Sequence, residues 1–316
     1  MTRVAAIVPS LGVSPWAGQS LEALRAELAR HAYGHELVWV HQGANPSPEL
    51  TGPSERLLRL PEPVGFAAAV NRGFAAASGE IDLLLILNDD LMLEGGWLAE
   101  LIARLESHAE AASAQGVNLR LEQPGLVDGC GIGWNRDWQA VQIRDGELAP
   151  QPDLPPFEIF GVSATAALYR VGALHAVAPA GALFDERLGS YYEDVALAVR
   201  LQEAGFTSLC APRARARHAG QATTRRTPRA RWRAIYRNRR LVAAELLGER
   251  WAHERRRIVA RDRRDLVGRL LAFDIRAAAG IVQGLREARR FRPEPALLGS
   301  RRALAAAERL AVGSRA

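Results

Sequence analysis

The most informative residues of the chain are Asn88, Asp89 and Asp90, which directly follow the apolar run Leu83–Leu87. An aliphatic run of this kind predicts a strand buried on both faces, as found inside a parallel sheet. The polar residues then lie at the carboxyl end of the strand, where open α/β sheets bind their ligands. Clustered carboxylates there are typical of a hard divalent cation that is shared with substrate phosphates. The alternative for this segment alone is a turn in which Asp or Asn caps the next helix.

A second acidic pair, Glu193 and Asp194, opens a segment with a helix-compatible apolar pattern that ends at Gly205. The pair therefore falls in the first turn of a predicted helix, where the helix dipole favours negative charge. Taken alone, this segment is better explained as an ordinary helix with an acidic first turn. His218 follows 24 residues beyond Asp194, and a lone histidine is more often a partly buried, hydrogen-bonded residue than a ligand.

Together these segments resemble the family 2 glycosyltransferases of GT-A fold. The resemblance covers roughly the first 240 residues, and its short motifs are specific only in combination and in this order. The other segments that match the family's pattern are Val4–Ser10, Gly65–Gly79, Phe160–Arg170 and Tyr236–Arg239.

The resemblance implies an α/β fold with a mostly parallel, Rossmann-like sheet flanked by helices, and a divalent cation, Mg²⁺ or Mn²⁺, as cofactor. It makes Asp90 the principal carboxylate ligand of that cation and His218 the ligand that completes the site. Asn88 takes the first position of the motif, near ribose and metal, and Asp89 takes its variable middle position. A cation that bridges two phosphates stabilises the charge that develops on a leaving nucleoside diphosphate.

The same resemblance implies that Asp194 is the general base for an acceptor hydroxyl and that Glu193 is its usual acidic neighbour. A carboxylate within hydrogen-bond reach can take the proton as the hydroxyl oxygen attacks the anomeric carbon. A single displacement with one base inverts the anomeric centre, whereas a double displacement needs a nucleophilic carboxylate. We therefore expect inversion.

Donor-binding residues are also implied by position in the motifs. They are Pro9, Gly65, Asn71 and His41, together with Asn88 and Asp89. His41 is a departure, because family members usually carry an Asp there that contacts the nucleobase. This change weakens any inference about which base is bound.

Length, composition and cysteine usage limit the classes of protein to which this chain can belong. A chain of 316 residues with 48% hydrophobic residues has enough length to bury a substantial core. Its cysteines, Cys130 and Cys210, form no ligand-type spacing and no disulfide framework, which fits a reducing cytoplasm. We see no secretory leader and no apolar run of the ~20 residues that cross a bilayer. These features predict a cytoplasmic protein.

Charge divides the chain into two parts. From Arg213 onward 28 Arg and 9 acidic residues give +19, whereas 13 basic and 26 acidic residues give −13 before it. We expect a GT-A catalytic domain over residues 1–225 and an Arg-rich helical extension over residues 226–316. Apolar residues between the arginines give the extension an amphipathic character that favours an anionic membrane surface; they include Leu241, Leu246, Leu247, Leu266, Leu270 and Ile281. A helical appendage that only packs on the catalytic domain or on a second copy is the alternative, and nucleic-acid binding ranks last.

The sequence thus predicts an inverting glycosyltransferase that takes a nucleoside-diphosphate sugar. The pattern is most similar to rhamnosyltransferases, so dTDP-rhamnose is the first donor expected, with galactofuranosyl or mannosyl transfer as alternatives. The acceptor would be a glycan or a lipid-linked saccharide of bacterial surface polysaccharide assembly, at the inner face of the membrane. A non-catalytic scaffold that binds nucleotide sugar is the alternative from another class.

Overall fold

Apolar strands form the centre of the fold, as the sequence predicts. The computed structural model describes residues 2–30, 34–178, 182–220, 227–290 and 300–313. Within these ranges the strands are β1 (Arg3–Ser10), β2 (Gly34–Gln42), β3 (Glu55–Leu60), β4 (Leu83–Leu87), β5 (Leu91–Leu93), β6 (Ala111–Arg120), β7 (Val127–Gly129), β8 (Ile132–Trp134), β9 (Ala140–Gln142), β10 (Phe157–Ile159), β11 (Ala166–Arg170) and β12 (Thr207–His218).

Helices cover both faces of the sheet and continue into the C-terminal part. In the described ranges they are α1 (Ala17–Ala29), α2 (Phe66–Ala76), α3 (Trp97–Ser107), α4 (Val171–Val177), α5 (Glu193–Glu203), α6 (Pro228–Leu247), α7 (Trp251–Leu271), α8 (Ile275–Ala288) and α9 (Arg301–Arg309), with short 3-10 helices at Glu186–Leu188 and Gly248–Arg250.

The large sheet has the strand order β10-β12-β6-β11-β4-β1-β2-β3, with β5 paired to β12 and β7 paired to β6. β1 to β4 run parallel to their neighbours in this set, and β6 is parallel to β12. β11 is antiparallel to both β4 and β6. The predicted α/β class with a mostly parallel sheet is confirmed.

Side chains of the central strands alternate between two cores. In β4, Leu83, Leu85 and Leu87 pack with α1 and α3 on one face. Leu84 and Ile86 pack with α2 and α4 on the other face. A strand that is buried on both faces has no solvent side, which explains why its sequence is an uninterrupted apolar run.

The C-terminal helices share a third core with the α/β part. Trp134, Phe160 and Val195 pack there against Leu246 and Ile258. α8 lies so close against α6 that a Cβ added at Gly280 would stand only 2.4 Å from the Arg229 carbonyl oxygen. The predicted domain boundary, between residues 225 and 226, lies outside the described residues.

The expectation that the apolar residues of the extension face a membrane is wrong for most of them. Leu241, Leu246, Leu247 and Ile281 are buried between helices. Trp138, in the segment between β8 and β9, is also buried, at 7% exposure, and packs with these leucines in the third core. An amphipathic pattern shows that a helix has an apolar face, and here the protein itself covers that face.

Candidate active site

β4 carries Asn88, Asp89 and Asp90 to the carboxyl edge of the sheet, as predicted. β1 runs parallel to β4, and its last residue, Ser10, lies beside Asp89. The Ser10 hydroxyl donates a hydrogen bond to Asp89 Oδ2 over 2.5 Å. Burial raises the pKa of Asp89 to about 6, although the bond from Ser10 opposes that shift. Asp89 is thus hydrogen-bonded to the neighbouring strand β1, whereas Asp90 contacts His218.

Asp90 and His218 meet through strand pairing. The short strand β5 follows Asp90 and pairs antiparallel with the end of β12, with Leu91 opposite His218. His218 Nε2 then lies 3.1 Å from Asp90 Oδ1, and the two side chains are only 13% and 8% exposed. The structure therefore brings the two predicted metal ligands into direct contact.

Asp128 is a third member of this cluster, and the sequence analysis did not include it. His218 Nδ1 donates to Asp128 Oδ2 over 2.8 Å. Burial alone would lower the pKa of His218, but the hydrogen bonds to Asp128 and Asp90 raise it to about 10. The sequence holds no local signal for this contact. β7 and β12 each pair with β6, and only this pairing brings Asp128 close to His218.

The donor set of Asp90 and His218 fits a divalent cation that takes its other ligands from substrate phosphates. Across the described ranges, no group of three or more His, Cys, Asp or Glu side chains forms a complete metal cage. Asp128 also fits, because a metal-binding His commonly donates its second ring N–H to a carboxylate. A bound cation would replace the hydrogen bond between Asp90 and His218, and the proton on His218 Nε2 would be released.

The acidic pair Glu193 and Asp194 lies in the first turn of α5, as predicted. Asp194 accepts hydrogen bonds from the backbone N–H of Ala164 over 3.1 Å and of Val195 over 2.8 Å. Burial raises the pKa of Asp194. Glu193 is only 6% exposed, and its Oε2 has no hydrogen-bond partner among the described residues. Burial and the charge of Asp194 raise the pKa of Glu193 well above its ordinary value.

One short segment connects the acidic pair to the end of β4. The Asn88 N–H donates to the Thr165 carbonyl oxygen over 2.9 Å, and the neighbouring Ala164 N–H holds Asp194. Consecutive Cα atoms are ~3.8 Å apart. The two acidic segments, distant in sequence, therefore converge on the start of β11.

Two predicted donor-binding residues hold the site loop, which we define as residues 184–192. The Asn71 amide donates to the Phe184 carbonyl oxygen over 2.9 Å and accepts from the Phe184 N–H over 3.0 Å. Gly65 has φ +90°, and a Cβ there would stand 3.0 Å from the Gly189 carbonyl oxygen. The structure thus assigns both residues a part in shaping the segment that leads to Asp194, and their contact with a donor stays a prediction.

The extension holds the same site loop from the other side. Arg237 Nη2 donates to the Leu188 carbonyl oxygen over 2.7 Å, and Asn238, which is fully buried, donates to carbonyl oxygens of this loop. Tyr191 and Tyr192 have φ values of 69° and 70°. Non-glycine residues in this region are strained and persist where surrounding contacts fix them.

Pro9 and His41 are enclosed by the protein. Pro9 is buried within β1. His41 is 0% exposed, and its Nε2 lies 2.6 Å from the Asn45 carbonyl oxygen. Contact of either residue with a nucleotide stays a prediction.

Comparisons with known proteins show which family and which solved structures the chain is similar to. Residues 49–177 match the model of the family described as Glycosyl transferase family 2. None of the curated proteins matches the sequence.

Solved structures share the fold at low sequence identity. A crystal structure of GalNAc-T7 with UDP, GalNAc and Mn²⁺ has a TM-score of 0.54 and 14% identity, and the match covers 69% of this chain and 43% of that one. The present chain thus corresponds to less than half of the GalNAc-T7 chain. The mannosyltransferase PcManGT from Pyrobaculum calidifontis, in complex with GDP-Man and Mn²⁺, has a TM-score of 0.50 and 14% identity, over 93% of this chain and 76% of that one. The chain is thus similar to glycosyl transferase family 2 over residues 49–177, and it shares the GT-A fold of these solved structures.

Proposed function

We propose that the protein is an inverting, metal-dependent glycosyltransferase that uses a nucleoside-diphosphate sugar. The observation that carries this proposal is the convergence of two acidic groups on one segment. Asp90, in contact with His218, closes the acidic motif after β4, and Asp194 is held by Ala164, one residue from the backbone contact of Asn88. This convergence supports a site in which a charged leaving group and a base act at one edge of the sheet.

Each described residue has a distinct part in the proposed reaction. Asp90 and His218 would hold the cation, which when bound supplies positive charge to the leaving diphosphate. Asp194 takes the proton from the acceptor hydroxyl, whose oxygen forms a bond to the anomeric carbon. The bond from that carbon to the diphosphate oxygen breaks, and its electron pair leaves with the nucleoside diphosphate. A single displacement of this kind inverts the anomeric configuration.

The identities of donor and acceptor form the finer part of the proposal. dTDP-rhamnose is our first donor, on the similarity of the motifs to rhamnosyltransferases, and galactofuranosyl or mannosyl transfer are the alternatives. The acceptor is a glycan or lipid-linked saccharide in bacterial surface polysaccharide assembly on the cytoplasmic side. No helix in the described ranges is both long and apolar enough to cross a membrane.

Calorimetric titration of dTDP, UDP and GDP, each with Mn²⁺ and with EDTA, tests the proposed donor site. We expect one nucleotide to bind in Mn²⁺ and to bind much more weakly in EDTA. Asp90→Ala should remove the metal-dependent part of this binding. Asp194→Asn should keep nucleotide binding and abolish transfer. No binding of any of the nucleotides would favour the alternative of a scaffold that has lost its donor site.

A further inference from the structure

The turn between α7 and α8 exposes a cluster of large apolar side chains. We call this cluster the α7–α8 tip, and its members are Val267, Leu270, Leu271, Phe273 and Ile275. Leu271 and Phe273 are 75% and 87% exposed. Among the described residues, the other large hydrophobic side chains with comparable exposure, Leu148 and Leu154, lie far away in sequence. Contiguous apolar exposure of this kind marks a site of interaction.

The α7–α8 tip is built on a firmly held turn. The Asp274 side chain caps α8 by accepting a hydrogen bond from the Ala277 N–H over 3.0 Å. The Arg269 guanidinium stands 4.3 Å from the centre of the Trp232 ring and 3.6 Å from Asp274. Capping and cation–π contacts of this kind stabilise a defined geometry. The apolar side chains are therefore presented to solvent by a fixed turn.

Exposed arginines lie next to the apolar side chains on the solvent face of α7, about one helical turn earlier in the chain. Arg263 and Arg264 are exposed, and they precede Val267 by about one helical turn, or ~6 Å. Within the described part of the chain, Arg263 has no carboxylate partner, and Arg264 reaches Asp137 only at 3.5 Å. The outer face of α7 thus changes from cationic to apolar toward its end.

A cleft of about 520 Å³ opens next to the α7–α8 tip, between α6 and α8. It is lined by Arg229, Arg233 and Arg276. Arg276 directly follows Ile275 of the tip and has no carboxylate partner in the described ranges, whereas Arg233 is paired with Glu287 over 2.8 Å. Guanidinium groups are well suited to bind phosphate oxygens in a planar, two-point geometry.

We propose that the α7–α8 tip docks the protein on a membrane of anionic phospholipid. Its apolar side chains enter the boundary of the acyl chains, while Arg263, Arg264 and Arg276 contact lipid phosphates. Apolar residues flanked by cations are the combination that holds proteins in the interface of a bilayer. A symmetric contact between two copies fits less well, because it uses the same patch on both subunits and would bring these arginines together.

This surface differs from the one expected from sequence, because it excludes the buried Leu241 and Ile281. None of the residues of the α7–α8 tip belongs to the proposed donor site. The membrane proposal and the donor-site proposal can therefore be tested independently, the first by binding to vesicles and the second by binding of nucleotide.

Co-sedimentation with vesicles tests the docking surface. We expect the full chain to bind vesicles of phosphatidylglycerol and phosphatidylcholine at least tenfold more tightly than vesicles of phosphatidylcholine alone. Leu271→Ser with Phe273→Ser should weaken this binding by roughly tenfold or more. Arg263→Glu with Arg276→Glu should weaken it by a similar factor and remove its dependence on anionic lipid. Leu148→Ser, which changes a leucine that is also 75% exposed, is the matched control and should leave binding unchanged.

Three results would overturn the proposal. The first is equal binding of the wild-type chain to both kinds of vesicle, and the second is equal binding of wild type and tip variants. The third is a dimer in sedimentation equilibrium that Leu271→Ser with Phe273→Ser converts to a monomer, because the patch would then be a contact between copies. Thermal melting of each variant verifies its folding, and substitutions at such exposed positions should change it little.

Discussion

The side-chain amide of Asn238 donates to the carbonyl oxygen of Tyr191 over 2.7 Å. The same amide reaches the carbonyl oxygens of Leu188 over 2.8 Å and Ser190 over 3.1 Å. Tyr191 lies three residues before Asp194, so a residue of the extension fixes the approach to the proposed base. The Arg-rich extension is thus a structural part of the candidate site, whatever else it binds.

Asn238→Ala should lower the rate of sugar transfer while it leaves nucleotide binding nearly unchanged. The carbonyl oxygens of the site loop would lose their donor, and the strained backbone before α5 would relax. A displacement of about 1 Å at a reacting group can lower a rate ~10²-fold. We therefore expect kcat to fall by about that factor and the KM for the donor to change less than ~2-fold.

The control for Asn238→Ala is Ala230→Ser, an exposed change on the same helix. Hydrogen exchange at residues 188–191 should become faster in Asn238→Ala and stay unchanged in Ala230→Ser. Asn238→Asp should be at least as defective, since a carboxylate cannot donate to the carbonyl oxygens. A full wild-type kcat in both Asn238 variants would show that the amide does not position the base.

Asp128→Ala should weaken Mn²⁺ binding without removing either predicted metal ligand. Asp128 holds His218 through Nδ1 and thereby directs Nε2 toward Asp90. Loss of such an outer partner commonly lowers metal affinity by about 10- to 100-fold. Direct titration of Mn²⁺ in the presence of the nucleotide that binds measures this effect. Asp145→Ala, which removes an exposed carboxylate paired with Arg120, should leave the affinity unchanged, and equal affinities in all three proteins would contradict the role of Asp128.

The parts of the site that sequence could predict are those with a local pattern. Asp90 follows an apolar strand, and Asp194 opens a helix; both positions depend only on periodicity over a few residues. The role of Asp128 could not be predicted, because its contact with His218 requires that β7 and β12 each pair with β6. Pairing between distant strands leaves no trace in a single stretch of sequence.

The extension shows the same division between local and non-local information. The sequence predicts amphipathic helices there, and α6, α7 and α8 confirm the helices. It predicts an exposed apolar face that includes Leu246 and Ile281, and both are buried. Periodicity defines which side of a helix is apolar, but only the tertiary packing determines what covers that side.

Asp262→Ala should be strongly destabilising. Asp262 is 1% exposed and pairs with the equally buried Arg239 and with Arg240. Removing the carboxylate leaves a buried guanidinium without its partner, which typically costs about 3–5 kcal/mol. Urea unfolding measures this as a lower midpoint at unchanged slope. Glu158→Ala breaks the more exposed pair with Arg309 and should cost no more than ~1 kcal/mol; equal costs for the two variants would refute the structural importance of the buried pair.

Glu193→Gln should change the pH dependence of the free energy of unfolding. The pKa of Glu193 is raised by burial and by Asp194, so the folded state holds this proton at pH values where the unfolded state has released it. The free energy of unfolding should therefore decrease in the wild type as the pH rises from the ordinary Glu value of about 4.3 toward the raised pKa. The glutamine variant lacks this loss, so it should match the wild type in acid and exceed its stability at alkaline pH.

The same substitution should leave the acid limb of the transfer rate unchanged. Asp194 must be ionised to accept a proton, and burial raises its pKa, so activity should be lost as the pH falls through that raised value. Burial and the charge of Asp194 raise the pKa of Glu193 well above its ordinary value, so Glu193 is still neutral while Asp194 ionises. Glutamine is neutral too, and the midpoint of the kcat profile should stay where it is. Tyr169→Phe removes a buried hydroxyl that has no hydrogen-bond partner among the described residues. This hydroxyl is near both carboxylates and carries no charge, so the substitution should leave the midpoint unchanged. A midpoint that moves to lower pH in Glu193→Gln would mean that Glu193 already carries charge when Asp194 ionises.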